Sequence, residues 1–397
     1  MNNADKQYKD LLNKILAEGR EKKSRAGNTV DLFGGQMRFN LSEGFPLSTL
    51  RKVPHKAVFK ELFWFLSGST NVSVLTRQGV HIWDADAYRN YSTKCSANDA
   101  KFDKWMFKNE DGHLRMYLFD EFVAKLETDD GFAEKWGDLG KGSYSWAWCS
   151  FPYTEKRKVE KSGFGFEQSF ESGFNQIQNI VDKLKNDPDS RRIILNAYHP
   201  YWAEKAILAP CHIMSMFGTE PLTLEERATF YYGKPVGMIR GLTVFGKDGK
   251  WEFAEDGKLD HEVSLSWLSP DDNQKWMEFF DGLGVPQRRL NCHLICRSQD
   301  FLLGTAFNVP MYALLTELLA YCAGMITGDL VWSASSIHVY CNQKEHAKEL
   351  LAREPLKLPR LKIKEGAPKN IFELGVEHVE VTDYEPHPAI KIPLSVG

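Results

Sequence analysis

An excess of charge of either sign is missing from this 397-residue chain. Its 50 Lys and Arg stand against 53 Asp and Glu, a formal net charge of −3. That excludes a general electrostatic pull toward nucleic acid or an anionic membrane surface, so neither is an expected partner. No uninterrupted run of about 18 apolar residues is present, and no charged-then-apolar leader opens the chain, so neither a membrane span nor a secretory signal is expected. Cysteine is sparse: seven residues, an odd number, are scattered along the chain. They read as reduced thiols of a cytoplasmic protein rather than a disulfide framework. No Cys/His cluster has zinc spacing and no Gly-rich loop marks a phosphate cradle, so no metal is expected.

What is present begins with Leu208-Ala209-Pro210-Cys211-His212. A thiol of ordinary pKa is mostly protonated at neutral pH and becomes a strong nucleophile when a cation stabilises its thiolate. A second segment, Cys296-Arg297-Ser298-Gln299-Asp300, offers an arginine for that purpose. Alone, Cys211 would read as a small buried hydrophobe. The order of motifs along the chain argues otherwise. Asp187-Pro188-Asp189-Ser190-Arg191-Arg192 lies upstream, and Gly304-Thr305-Ala306-Phe307-Asn308 and His338-Val339-Tyr340 follow downstream.

Local patterns place these motifs. Lys6 to Ala17 has helical periodicity, and Lys56 to Leu66 reads as a helix that is apolar nearly all round, hence buried. Glu61 inside that run would be desolvated among Phe59, Leu62 and Phe63, which raises a carboxylate's pKa toward proton-transfer duty. Asn308, just before Val309-Pro310-Met311, reads as a helix N-cap with Pro in the first turn. Its amide also offers an acceptor and a donor side by side. His338 and Tyr340, two apart, face the same way on an extended segment. Arg25, Arg191, Arg192 and Arg297 are candidates for holding a phosphate dianion with planar guanidinium forks.

In this order the motifs resemble those of the thymidylate synthase and deoxynucleotide hydroxymethylase family. The likeness also takes in Phe33-Gly34-Gly35-Gln36-Met37-Arg38-Phe39-Asn40, Glu61-Leu62-Phe63-Trp64-Phe65-Leu66, and nearly everything from Leu290 to Pro393. It implies an α/β (α+β) fold with a large mixed sheet packed against helices. A single catalytic domain over residues 1–397 is expected, with insertions at about 87–136, 149–173 and 218–289. In the last of these, Lys247-Asp248-Gly249-Lys250 and Glu255-Asp256-Gly257-Lys258 read as hairpin turns.

The resemblance also implies chemistry: Cys211 adds to C6 of deoxyuridylate (dUMP), and C5 then takes a one-carbon unit from 5,10-methylenetetrahydrofolate. Glu61, Tyr144, His212 and Asn308 would share the catalytic work. The nucleotide would be held by Arg25, Arg297, Ser298, Asp300, Asn308, His338 and Tyr340, with Arg191 and Arg192 reaching across from the second subunit of a homodimer. The folate would meet Trp83, Asp86, Leu208, Asp300, Gly304, Phe307 and Val396. Four departures touch the expected product choice. The family's Trp-Asp-Glu-Trp is Trp83-Asp84-Ala85-Asp86, a glutamine expected after the nucleophile is Met216, the Gly140-to-Trp146 stretch is shortened, and the tail ends Pro393-Leu394-Ser395-Val396-Gly397. With the insertions, they make the closest likeness the phage deoxyuridylate hydroxymethylases, acting in the host cytoplasm and letting water add to the one-carbon unit. Thymidylate synthase is the alternative. A non-catalytic nucleotide- or RNA-binding regulator is weaker, because a binding protein has no chemical need of Cys211.

Overall fold

The computed structural model describes residues 2–24, 26–96, 100–161, 164–232 and 270–394. Arg25, Val396 with Gly397, and both hairpin turns expected between residues 247 and 258 lie outside the described residues.

Six strands form the main sheet: β1 (Arg20–Ser24), β2 (Gly27–Asn40), β3 (Ile194–Asn196), β4 (His212–Pro221), β5 (Arg288–Asp300) and β6 (Ile326–Tyr340). Their order is β1-β2-β6-β5-β4-β3. Only β6 and β5 run parallel; every other pairing is antiparallel, so the sheet is mixed as expected. Alternation gives each strand a core face and an outward face. Leu290, Cys292, Leu294 and Cys296 of β5, and Leu330, Trp332, Ile337 and Val339 of β6, point into the core.

Five helices frame the site: α1 (Asn3–Glu18), α2 (His55–Leu66), α3 (Asp84–Cys95), α4 (Tyr144–Cys149) and α5 (Gly304–Ala323). The expected periodic segments fall inside α1 and α2, and α2 buries Val58, Phe59, Glu61, Leu62, Trp64, Phe65 and Leu66. Helix α5 is long and apolar enough to cross a membrane by length and composition, yet 72% of that stretch is buried inside the protein. It is the central core helix, packed on α2, β5 and β6. Gly324 ends it with φ 69°, a left-handed cap that costs glycine little.

The 87–136 stretch folds as further helices, including Phe119–Thr128 and Asp130–Trp136. Tyr91 lies between them, its ring 5.1 Å from Trp136 and 5.2 Å from Phe122. These rings continue the main hydrophobic cluster rather than starting a separate one. Residues 151–161 and 164–174 form a two-stranded antiparallel ribbon.

Candidate active site

Cys211 ends the loop that enters β4, directly before a β-bulge at His212–Met214 where the register against β5 shifts. A bulge bends a strand and re-aims the side chains beside it. Arg297 locks this corner. Its backbone N–H donates to the Cys211 carbonyl at 2.8 Å, its Nε to the Pro210 carbonyl at 2.8 Å, and its Nη2 to the Ala209 carbonyl at 2.8 Å. The same Nη2 lies 4.0 Å from Cys211 Sγ. Among the described residues Nη1 has no partner, which leaves it for an anion. The loop carrying Cys211 therefore also orients the cation beside it.

Burial pushes the Cys211 pKa up, Arg297 opposes this, and the carboxylates of Asp86 and Asp300 add to the rise. Arg297 stands beside the sulfur, 4.0 Å away, and burial is the larger of the two opposing influences on the thiol.

Tyr144, at the start of α4, accepts hydrogen bonds from the backbone N–H groups of Cys211 at 2.7 Å and His212 at 3.3 Å. Burial holds its pKa well above the ordinary phenol value. With both lone pairs occupied, the hydroxyl is left as a donor. The shortened Gly140-to-Trp146 stretch thus still delivers a tyrosine to the nucleophile. Its ring stacks on His212, centroids 3.8 Å apart and 9° from parallel. His212 Nδ1 sits 2.7 Å from the Tyr312 hydroxyl, and burial lowers its pKa to about 3, so it is neutral at neutral pH.

Glu61 is buried, and its Oε1 accepts from Trp83 Nε1 at 2.8 Å. Burial raises its pKa to about 7, against the lowering effect of the Trp83 bond. This matches the expectation from the apolar run. Asp86, three residues on, is no bare polar wall: it pairs with Arg89 at 2.8 Å, and Arg89 donates to the Ile207 carbonyl at 2.8 Å. This pair ties α3 to the loop that carries Leu208 and Cys211.

Across the sheet, Asp31 of β2, His338 of β6 and Asp300 of β5 stand in one row. Burial lowers the His338 pKa, against the raising effect of Asp300, and the Tyr340 ring meets His338 edge-on at 5.2 Å. Asp300 Oδ1 accepts from the N–H groups of Leu302 and Leu303, both at 3.0 Å, so this carboxylate caps the turn into α5. Burial nevertheless raises its pKa. Ser298 pairs with Ser336 on the neighbouring strand and is half-buried. Leu208 and Phe307 are partly exposed apolar side chains on the rim of the core.

One expectation is corrected. Asn308 is not an N-cap and Pro310 is not in the first turn, because α5 already begins at Gly304 and both lie within the helix. The buried apolar side chains Ala306, Val309 and Met311 carry the helix further back than the Asn-Val-Pro signal implied. Met216, where the family's glutamine is expected, stands on β4. It points from the outward face of β4 into an open groove of about 590 Å³, shared with Arg191, His293 and Val331. Arg191 and Arg192 are exposed, and neither side chain has a partner among the described residues. Tyr312, Gln299 and Arg89 were missed. Gln299 lies inside a motif already singled out, whereas Tyr312 needed the helical phase from Gly304 and Arg89 the burial of Asp86.

The sequence model of the family described as "Thymidylate synthase" matches residues 6–229 and 276–396. The chain belongs to the thymidylate synthase family. It is similar to the thymidylate synthase of Malacoplasma penetrans (strain HF-2), 30% identical over 387 residues covering 97% of this chain and 98% of that one. It is also similar to that of Listeria monocytogenes serotype 4b (strain CLIP80459), 29% identical over 396 residues covering 98% and 100%. Residues 230–275 stand outside the family match, whereas 87–136 and 149–173 lie within its limits. Membership in the thymidylate synthase family makes the protein a one-carbon transferase.

Proposed function

We propose that the protein transfers a one-carbon unit from 5,10-methylenetetrahydrofolate to C5 of dUMP, yielding thymidylate and dihydrofolate. The carrying observation is the convergence on one corner of Cys211, Arg297, Tyr144 and His212. Cys211 adds its sulfur to C6 of the pyrimidine, its proton passing to solvent or to ionised Glu61 and the C5=C6 electron pair moving onto C5 and O4. Arg297 steadies the sulfur through Nη2 and offers Nη1 to the phosphate. Glu61, with a pKa of about 7, holds or releases a proton at neutral pH, and Tyr144 donates from its hydroxyl. Asn308 reads the uracil edge. Neutral His212 keeps Tyr144 in place through the stacked ring.

The folate supplies the carbon and, in the synthase reaction, the hydride. The partly exposed apolar side chains of Leu208 and Phe307, together with Trp83, suit its flat ring, and the carboxylates of Asp86 and Asp300 offer hydrogen-bond acceptors. The relatives favour the synthase outcome over the hydroxymethyl product expected from the sequence. One observation favours the second reading. The Asp86–Arg89 pair sets charge beside the Cys211 loop, where water could be held. Incubation with dUMP and methylenetetrahydrofolate tests both. Equal yields of thymidylate and dihydrofolate, by mass and ultraviolet absorbance, support the synthase; a hydroxymethyl nucleotide with tetrahydrofolate supports the second reading.

A homodimer completes this reading. The outward sheet face carries Met216 and Val331 in a groove with Arg191, and alternation along β5 turns Arg297 to the same face as His293. A second copy seated there would bring its own Arg191 and Arg192 toward the phosphate. Mixing an Arg191→Ala/Arg192→Ala variant with a Cys211→Ala variant is the test. Random pairing should restore about one quarter of parental activity if the arginines act across the interface. No restoration after proven subunit exchange would refute it.

A further inference from the structure

The uracil reading leaves a physical question about Asn308. A primary amide turned by 180° occupies the same space with its donor and acceptor exchanged. In one sense Oδ1 accepts from N3–H and Nδ2 donates to O4, which suits uracil. In the other, Nδ2 donates to N3 and Oδ1 accepts from the exocyclic amine, which suits cytosine. An asparagine free to turn therefore serves both bases.

Gln299 removes that freedom. It is 2% exposed, and its Oε1 accepts from Asn308 Nδ2 at 3.3 Å. Its own Nε2 donates to the Asp300 carbonyl at 3.4 Å. The first residue of α5 is glycine where this amide is seated: a Cβ on Gly304 would stand 2.5 Å from Gln299 Nε2. If Asn308 turned, Oδ1 would face Gln299 Oε1. If Gln299 turned with it, Oε1 would face the Asp300 carbonyl. Either way two acceptors oppose each other at a buried position, where an unmet hydrogen bond is most costly.

We propose that Gln299 is a specificity-determining positioning residue that locks the amide of Asn308 in the sense matching uracil and refusing cytosine. The proposal rests on the reading of Asn308 as the base-recognition residue. Gln299 need not touch the nucleotide. A residue that only supported the fold would, when changed, weaken both nucleotides alike; a lock changes their ratio.

The test measures kcat/KM for dUMP and dCMP, and their dissociation constants by calorimetry, in the parent, Gln299→Leu and Gln299→Met. Met retains the length of Gln and serves if Leu disturbs folding, which circular dichroism reports. Both variants are expected to lose about tenfold to a hundredfold of the preference for dUMP, chiefly by gaining dCMP binding. A parent that prefers dUMP while folded Leu and Met variants keep its ratio overturns the lock. A parent that binds both nucleotides equally overturns the uracil assignment itself, and the lock with it.

Discussion

Replacing Trp83 by Phe isolates the hydrogen bond that tunes Glu61. The indole Nε1 donates to Glu61 Oε1 at 2.8 Å, and it opposes the burial that lifts this carboxyl to about 7. A donor that favours the ionised form lowers a pKa, so its loss must raise it. A hydrogen bond to a buried charge contributes about 1.5–3 kcal/mol, and about 1.4 kcal/mol corresponds to one pH unit. The acid limb of kcat/KM against pH, which ionisation of Glu61 governs, should therefore move up by about one to two pH units. At pH 7, where the parent is about half ionised, the variant should be roughly five- to fiftyfold slower, and most of the loss should be regained by pH 9. Phenylalanine keeps an aromatic ring facing Trp64 and Tyr144, and a thermal melt checks that the fold survives. A limb that stays near 7, or moves down, would refute the assignment of that ionisation to Glu61.

Cys211→Ala is expected to abolish product formation while dUMP binding, carried by other residues, stays within a few-fold; turnover by this variant would remove covalent catalysis. Asn308→Asp should shift preference from dUMP toward dCMP, because a carboxylate accepts from the cytosine amine and no longer donates to O4; direct competition between the nucleotides reads this. Asp86→Trp is expected to cut any hydroxymethyl product about tenfold for each 1.4 kcal/mol added to the water route, and an unchanged product ratio in a folded variant separates Asp86 from product choice. Glu61→Gln should stabilise the protein above neutral pH. The folded-state pKa of Glu61, about 7, lies above the unfolded 4.5, so the folded form binds the extra proton between these values and loses stability as pH rises through them. The gain at pH 8 over pH 5, on the order of 1–3 kcal/mol, is read by urea melts of both proteins.

The sequence by itself pointed to Cys211 as the candidate nucleophile, to the buried Glu61 and to the extended segment bearing His338 and Tyr340. Each depends on local pattern: an apolar run around Glu61, a period of two at His338, and a fixed order of motifs around Cys211. Periodicity located α1 and α2, whereas the mixed sheet was implied by the family resemblance. Only the tertiary structure decided which face Met216 takes, because a side chain's direction on β4 depends on the bulge at His212–Met214. It alone paired Asp86 with Arg89 and brought Tyr144 to the Cys211 amide, a meeting of residues 67 apart in the chain. The protonation of Cys211 belongs to the fold as well: Arg297 was visible in the sequence, but the burial that outweighs it arises only when loop, sheet and helices close around the thiol.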